Sequence, residues 1–215
     1  MSARNLPAPH VTTLPGFPGS GRPISYLSEG EVEALTKAFE QWYGSAKKRH
    51  VRRARGRYWL VYLVLRFTGA RIGEVLLLDE TRDVDFRRGE IRLQTLKSHR
   101  GKRRPTRVVP VRLNVTSEID TYLAEFPEIR GKTFGLQQSN FRRRFYERAT
   151  EAKVQRENAH PHILRHTRAM ELLRAGVPVT LVQDILGHSA LTTTAAYLRI
   201  SGQEARSVLQ DKGMI

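Results

Sequence analysis

Residues 181–197 contain two apolar helical patterns separated by a glycine. The run LVQDIL ends at Gly187, a residue that commonly terminates helices in the left-handed conformation, and Ser189 or Thr192 can cap a second helix that carries Tyr197. On one straight helix, His188 and Tyr197 would face opposite sides. The glycine therefore predicts a break between two short helices, and that break allows His188 and Tyr197 to converge.

The segment HPHILRHTRAMELL precedes these helices and carries His162 and Arg165. The two residues are at positions i and i+3, so on a helix they share a face and can both reach one anionic group.

The segment LRFTGARIGEVLLL places Arg71 shortly after Gly69, with Thr68 as a candidate helix cap. A guanidinium beside the N–H groups of a helix N-terminus favours phosphate. Glu74 is positioned to orient a neighbouring cationic or imidazole side chain. Gly73 within a helix costs roughly 1 kcal/mol relative to alanine, which indicates that a backbone or ligand approaches closely there.

These residues stand in the order found in one enzyme family. Arg71, a hairpin lysine, His162-Ile-Leu-Arg165, Leu-Gly-His188 and Tyr197 resemble the tyrosine recombinases, the phage integrase family of site-specific DNA recombinases. The resemblance implies a mostly α (α+β) catalytic domain with a small three-stranded antiparallel sheet at one edge. It also implies that DNA is cut and rejoined through a 3′-phosphotyrosine.

The roles implied by the resemblance fit the chemistry of each side chain. Tyr197 would attack the scissile phosphate, although a free tyrosine with a pKa near ~10 is a poor nucleophile at neutral pH without assistance. Arg71 and Arg165 would clamp the nonbridging oxygens, where negative charge accumulates in the transition state, and His188 would donate a further hydrogen bond. We expect no cofactor and no metal, because this chain shows no dense carboxylate cluster for Mg²⁺ and the covalent intermediate conserves the phosphodiester energy.

His162 is the expected general base or proton relay for Tyr197, with Glu74 as its orienting partner. The nearby His166 is interpreted as structural. A metal site built from His160, His162 and His166 is a much weaker alternative.

In the family, a lysine on the hairpin between the second and third strands protonates the leaving 5′-oxygen. Two candidates compete in IRLQTLKSHRGKRRPTRVVPV: Lys97 fits when positions are counted from Ile91, and Lys102 fits better when they are counted back from Val109. We favour Lys97, because counting along the strand that carries the residue does not cross a variable turn.

Composition is consistent with a nucleic-acid partner. The chain of 215 residues has a formal net charge of +16 and a pI near 10.8, no cysteine and no apolar stretch long enough to span a membrane. No RNA-binding motif is evident, so double-stranded DNA is the expected partner. With no recognisable secretion signal, we expect a cytoplasmic, DNA-associated prokaryotic protein.

Three basic clusters are expected to contact the DNA backbone. They lie in the run from 47 to 57, interpreted as a loop-like patch before an apolar helix, in the hairpin, and near residue 143. Their members are Lys47, Lys48, Arg49, Arg52, Arg53, Arg100, Lys102, Arg103, Arg104, Arg142, Arg143 and Arg144.

We expect a flexible N-terminal arm at 1–26, which is rich in proline and glycine, followed by the catalytic domain with its C-terminal tail helix at 27–215. Typical members carry a separate helical DNA-binding domain before the catalytic domain, whereas this chain has only the short arm. We therefore expect specificity to depend more on oligomer contacts, with the tail passed to a neighbouring protomer, or on an accessory DNA-binding protein.

Local patterns predict the elements of this domain. Ser28 and Glu31 form a capping box for a helix that runs to Tyr43. Strands are predicted at 84–86, 91–95 and 107–111, and helices near 116–126, 139–154, 162–175, 178–186 and 192–199.

Two other functions remain open from the residues. A type IB topoisomerase shares the tyrosine chemistry, and a non-catalytic DNA-binding or architectural protein of integrase descent would keep the same residues unused. The Leu-Gly-His188 motif and the Thr-Thr-Thr-Ala-Ala-Tyr197 context favour a recombinase.

Overall fold

The computed structural model describes residues 25–96 and 105–187, together with Gln210. The described part is mostly helical and contains one small sheet, as expected. The α-helices are α1 (Glu29–Gly44), α2 (Arg49–Thr68), α3 (Ile72–Val75), α4 (Glu80–Asp83), α5 (Leu113–Glu125), α6 (Gln138–Glu151), α7 (Ile163–Arg174) and α8 (Val179–Leu186); the strands are β1 (Val84–Asp85), β2 (Glu90–Gln94) and β3 (Thr106–Pro110). Short 3₁₀ turns cover Pro127–Ile129 and Arg156–Asn158.

Helix α1 begins at the predicted capping box. The Ser28 hydroxyl accepts a hydrogen bond from the Glu31 backbone N–H at 3.3 Å, and the Glu31 carboxylate accepts one from the Ser28 N–H at 2.8 Å. The helix buries Val32, Leu35 and Phe39 against its neighbours.

Helix α2 is the central element of the domain and packs against α1, α5 and α7. Every residue from Trp59 to Leu65 is buried, so this stretch is surrounded on all sides. The helix starts at Arg49, so the expectation that the basic run is a loop before the apolar helix is wrong. From Arg49 onward, the basic run forms the first turns of the same helix.

The sheet is antiparallel with the order β1-β2-β3. Val84 pairs with Ile91, and Ile91 pairs with Val109. Ile91, Leu93 and Val109 are buried, so one face of the sheet covers the core while the alternate positions point away. The three predicted strands are confirmed with small shifts at their ends.

The turn between α2 and α3 differs in detail from the prediction. Thr68 is the last residue of α2, where its hydroxyl donates to the Val64 carbonyl at 2.6 Å, so it does not cap the next helix. Arg71 itself occupies the N-cap of α3. The close neighbour of Gly73 is a side chain, since a Cβ added there would lie 2.6 Å from Leu96 Cδ1.

Helices α7 and α8 form a second, smaller core beside the main one. Ala169 and Met170 of α7 are buried against Val182 and Leu186 of α8. Gly187 ends α8 in the left-handed conformation with φ 69°, which confirms the predicted termination. The helix predicted at 192–199 lies outside the described residues.

In the described ranges, no helix combines the length and the apolar character required to cross a lipid bilayer.

Candidate active site

Arg71 is held between α3 and the end of α8. Gly69 closes α2 in the left-handed conformation and turns the chain, so that Arg71 precedes the first turn of α3. Nη1 of Arg71 donates to Glu74 Oε1 at 3.1 Å and to the Gly187 carbonyl at 3.3 Å. About a quarter of the side chain, 27%, is exposed, so this guanidinium is both positioned and accessible.

Glu74 is a buried carboxylate surrounded by arginines. Its Oε2 accepts hydrogen bonds from Arg107 Nη2 at 2.6 Å and from the Arg71 backbone N–H at 3.1 Å. Burial alone would raise the pKa of Glu74, but the Arg107 and Arg71 guanidiniums outweigh it and hold the pKa below its usual range. Glu74 therefore orients guanidiniums, and the expectation that it orients the imidazole of His162 is corrected.

Arg165 projects from α7 into the same region. It is buried, and its Nη1 donates to the Gly69 carbonyl at 2.9 Å and to the Leu186 carbonyl at 2.7 Å. One arginine thus connects the turn before Arg71 to the last turn of α8.

His162 is the N-cap residue of α7. Its ring lies edge-on to His166, with the centroids 4.7 Å apart. Desolvation, helped by the nearby charges of Arg165, His160 and Arg71, lowers the pKa of His162 to about 4. At neutral pH this imidazole is therefore uncharged.

Arg107 is a site residue that the sequence analysis did not single out. It lies in β3, and its Nε donates to the Ile185 carbonyl at 2.9 Å while Nη2 holds Glu74. The strand alternation offered a signal, because Arg107 is on the same face as the buried Val109. A charged residue at an inward-facing strand position requires a buried partner.

Three consecutive backbone carbonyls at the end of α8 each accept a hydrogen bond from a different arginine. The pairs are Arg107 Nε with Ile185 O (2.9 Å), Arg165 Nη1 with Leu186 O (2.7 Å) and Arg71 Nη1 with Gly187 O (3.3 Å). The last carbonyls of a helix have no partner within it and form the negative end of its dipole, so guanidiniums are well matched to them. The next residue in the chain is His188.

The basic run at the start of α2 is largely paired with carboxylates. Arg49 and Arg53 both contact Glu128, at 2.9 and 3.2 Å, and Arg52 contacts Glu125 at 2.7 Å. These pairs reduce the positive charge that the arginines present to a partner.

The other predicted DNA-contact residues that the structure describes lie before α2 and on α6. Lys47 and Lys48 are exposed before α2, and Arg142 and Arg143 are exposed on α6. Arg144 pairs with Glu147 at 2.8 Å.

Other predicted site residues lie outside the described residues. They are Lys97, Arg100, Lys102, Arg103, Arg104, His188 and Tyr197.

In the described ranges, no three histidine or carboxylate side chains are grouped closely enough to hold a metal ion, which leaves the His160, His162 and His166 alternative without support.

Comparison with known proteins agrees with this geometry. Residues 25–204 match the phage integrase family. The chain belongs to that family.

Among the relatives of this integrase-family chain is a tyrosine recombinase of Thermosipho africanus (strain TCF52B), which is 32% identical over 184 residues and aligns with 83% of this chain and 58% of its own length. The chain spans little more than half of the length of the curated relatives it matches. The activity and partners of the whole protein therefore belong to the proposal below.

Solved structures share the fold. The XerA recombinase superposes with a TM-score of 0.70 at 25% identity, covering 89% of this chain and 66% of XerA. The XerH site-specific recombinase, bound to palindromic difH substrate in a post-cleavage complex, gives a TM-score of 0.69 at 23% identity, covering 87% of this chain and 53% of XerH.

Proposed function

We propose that this chain is the catalytic part of a site-specific DNA recombinase that cuts and rejoins double-stranded DNA through a 3′-phosphotyrosine at Tyr197. The main observation in its support is that Arg71 and Arg165 donate hydrogen bonds to adjacent backbone carbonyls at the end of α8. These carbonyls directly precede His188 in the sequence. Family membership and the net charge of +16 support the same function.

In the cleavage step, the Tyr197 hydroxyl oxygen attacks the scissile phosphorus and the bond from phosphorus to the 5′-oxygen breaks. The two guanidiniums neutralise the nonbridging oxygens as charge builds up on them, with His188 as a further donor. His162, uncharged at neutral pH, takes the tyrosine proton. Attack by a free 5′-hydroxyl then reverses the chemistry and releases Tyr197.

The leaving 5′-oxygen needs a proton, which we assign to a lysine of the loop between β2 and β3. The Thr95 N–H donates to the Pro105 carbonyl at 2.9 Å, so hydrogen bonding between the two sides of the hairpin continues beyond β2 and β3. Lys97 and Lys102 lie in the sequence between these two residues. A DNA with sulfur in place of the bridging 5′-oxygen has a leaving group that does not need this proton. The lysine variant whose cleavage is restored by that DNA identifies the general acid; Lys97 remains our preference.

Residues 27–215 are proposed to form the catalytic domain, with 1–26 as an arm. The basic residues of α6 and of the hairpin are proposed to contact DNA phosphates, and the C-terminal tail is proposed to contact a neighbouring protomer. An accessory DNA-binding protein would complete site selection.

To test this proposal, the protein is incubated without metal or nucleotide with DNA fragments from the replicon that carries the gene. The reaction is stopped with detergent, and covalent protein–DNA adducts are detected. Wild-type protein should form an adduct on a subset of fragments, and Tyr197→Phe should form none. Tyr146→Phe, which alters a tyrosine that is 47% exposed on α6, is the matched control and should behave like wild type. Salt-sensitive binding without any adduct would instead favour a non-catalytic DNA-binding protein, and an adduct with DNA relaxation but no strand exchange would favour a topoisomerase.

A further inference from the structure

Arg107 joins three parts of the domain that are far apart in the sequence. Its backbone belongs to β3, paired with Leu93 of β2, while its guanidinium contacts Glu74 of α3 and Ile185 near the end of α8. The side chain is only 10% exposed, and Glu74 is fully buried. A charge this deep is retained only where its partners are fixed.

We propose that Arg107 is a positioning residue of the active site, which sets the placement of Arg71 and of the last turn of α8. This inference rests on the proposed function. Glu74 is the shared link: one carboxylate oxygen holds Arg107 and the other holds Arg71. A displacement of Arg107 therefore moves the carboxylate that orients Arg71.

The second link is to the end of α8. The Arg107 guanidinium lies against Gly187, where an added Cβ would lie 2.7 Å from Nη1. Nη1 is buried and has no hydrogen-bond partner among the described residues. Nε meanwhile holds the Ile185 carbonyl. Both contacts act on the last turn of α8, which directly precedes His188 in the sequence.

The third link is to the hairpin. Gln94 and Thr106 are the last paired residues before the loop that carries Lys97 and Lys102, and Arg107 directly follows Thr106. Arg107 thus connects β3, the strand that follows this loop, to Glu74 and through Glu74 to Arg71. A lysine cannot replace it, because the planar guanidinium donates in two fixed directions and an ammonium is a single point charge.

The test compares Arg107→Lys and Arg107→Ala with the control Arg92→Lys, which changes an exposed arginine on the adjacent strand. Three quantities are measured on the full chain: the single-turnover cleavage rate at saturating DNA, the dissociation constant for the same DNA, and amide hydrogen exchange at 183–187. We expect Arg107→Lys to lower cleavage on the order of 100-fold, as for misplaced catalytic groups. Its DNA affinity should change less than about threefold, and exchange at the end of α8 should accelerate roughly tenfold. Arg92→Lys should leave all three unchanged.

A double variant, Glu74→Gln with Arg107→Met, removes the buried pair and guards against a simple folding defect; Arg71, which is 27% exposed, keeps an amide oxygen as its acceptor. Its thermal stability should recover relative to Arg107→Ala while cleavage stays low; recovery of both would mean that the pair is only structural and would overturn the proposal. Unchanged cleavage and exchange in Arg107→Lys would also overturn it. If wild-type protein forms no adduct, the proposed function fails, and the exchange measurement alone decides the role of Arg107.

Discussion

Glu74 Oε1 lies 3.1 Å from Nη1 of Arg71, in an ion pair whose carboxylate is completely buried. Ion pairs of this kind are costly to break, because removing one partner leaves the other charge in a medium that solvates it poorly. Here the carboxylate also serves Arg107, so one buried negative charge stabilises two cationic side chains.

Glu74→Gln tests the importance of that charge. The amide keeps the shape and one acceptor oxygen but leaves Arg71 and Arg107 without a counter-charge, so the free energy of unfolding should fall by roughly 3–5 kcal/mol. Urea unfolding measures the change. Glu125→Gln is the control, since Glu125 pairs with Arg52 at 2.7 Å and both side chains are about one third exposed (35% and 34%), so its loss should cost less than about 1 kcal/mol. Equal losses for the two variants would show that burial of Glu74 adds nothing.

Gly187→Ala combines two costs at the end of α8. The residue has φ 69°, which disfavours a side chain by roughly 1–2 kcal/mol, and the new methyl would press on the Arg107 guanidinium. Gly176→Ala is matched to it, because φ is 78° there and an added Cβ would meet nothing within 4 Å. Both variants should lose stability in thermal unfolding, but only Gly187→Ala should also lose DNA cleavage. Cleavage that falls equally in both would assign the effect to backbone strain alone.

The elements that the sequence predicted well are defined by short-range signals. The capping box of Ser28 and Glu31 and the termination at Gly187 depend on residues within a few positions of one another. The strands alternate clearly enough to be recognised, since Ile91, Leu93 and Val109 all face the core.

What the sequence missed depends on contacts between distant residues. The start of α2 at Arg49 was missed because Glu125 and Glu128, which are more than 70 residues away in the sequence, neutralise its basic first turns. The role of Arg107 depends on the packing of β3 against α8, which no local pattern contains. The catalytic assignments of Tyr197, His188 and the hairpin lysine remain predictions.

The lowered pKa of His162 predicts how stability depends on pH. The unfolded chain binds a proton at this histidine below about pH 6.5, whereas the folded protein binds it only near pH 4, so stability is lost as pH falls through that window. Wild-type protein should therefore lose more stability between pH 7 and pH 5 than His162→Gln, in urea unfolding at each pH. His50→Gln, at an exposed position on α2, is the control and should follow wild type. An imidazole of His162 that titrates at or above the ordinary histidine value in an NMR titration would contradict the prediction.

The ion pairs of α2 predict which basic residues dominate DNA binding. Arg142 and Arg143 are exposed on α6, while Arg49 and Arg53 share Glu128. Each lost phosphate contact lowers the slope of log affinity against log salt by about 0.9, so Arg142→Ala with Arg143→Ala should lower it by roughly 2. Arg49→Ala with Arg53→Ala should lower it less, because part of that charge is already neutralised by Glu128. Fluorescence anisotropy with one duplex, over about 50 to 200 mM salt, measures both slopes. A larger loss in the α2 pair would mean that the arginines leave Glu128 on binding and that the start of α2 is the stronger DNA contact.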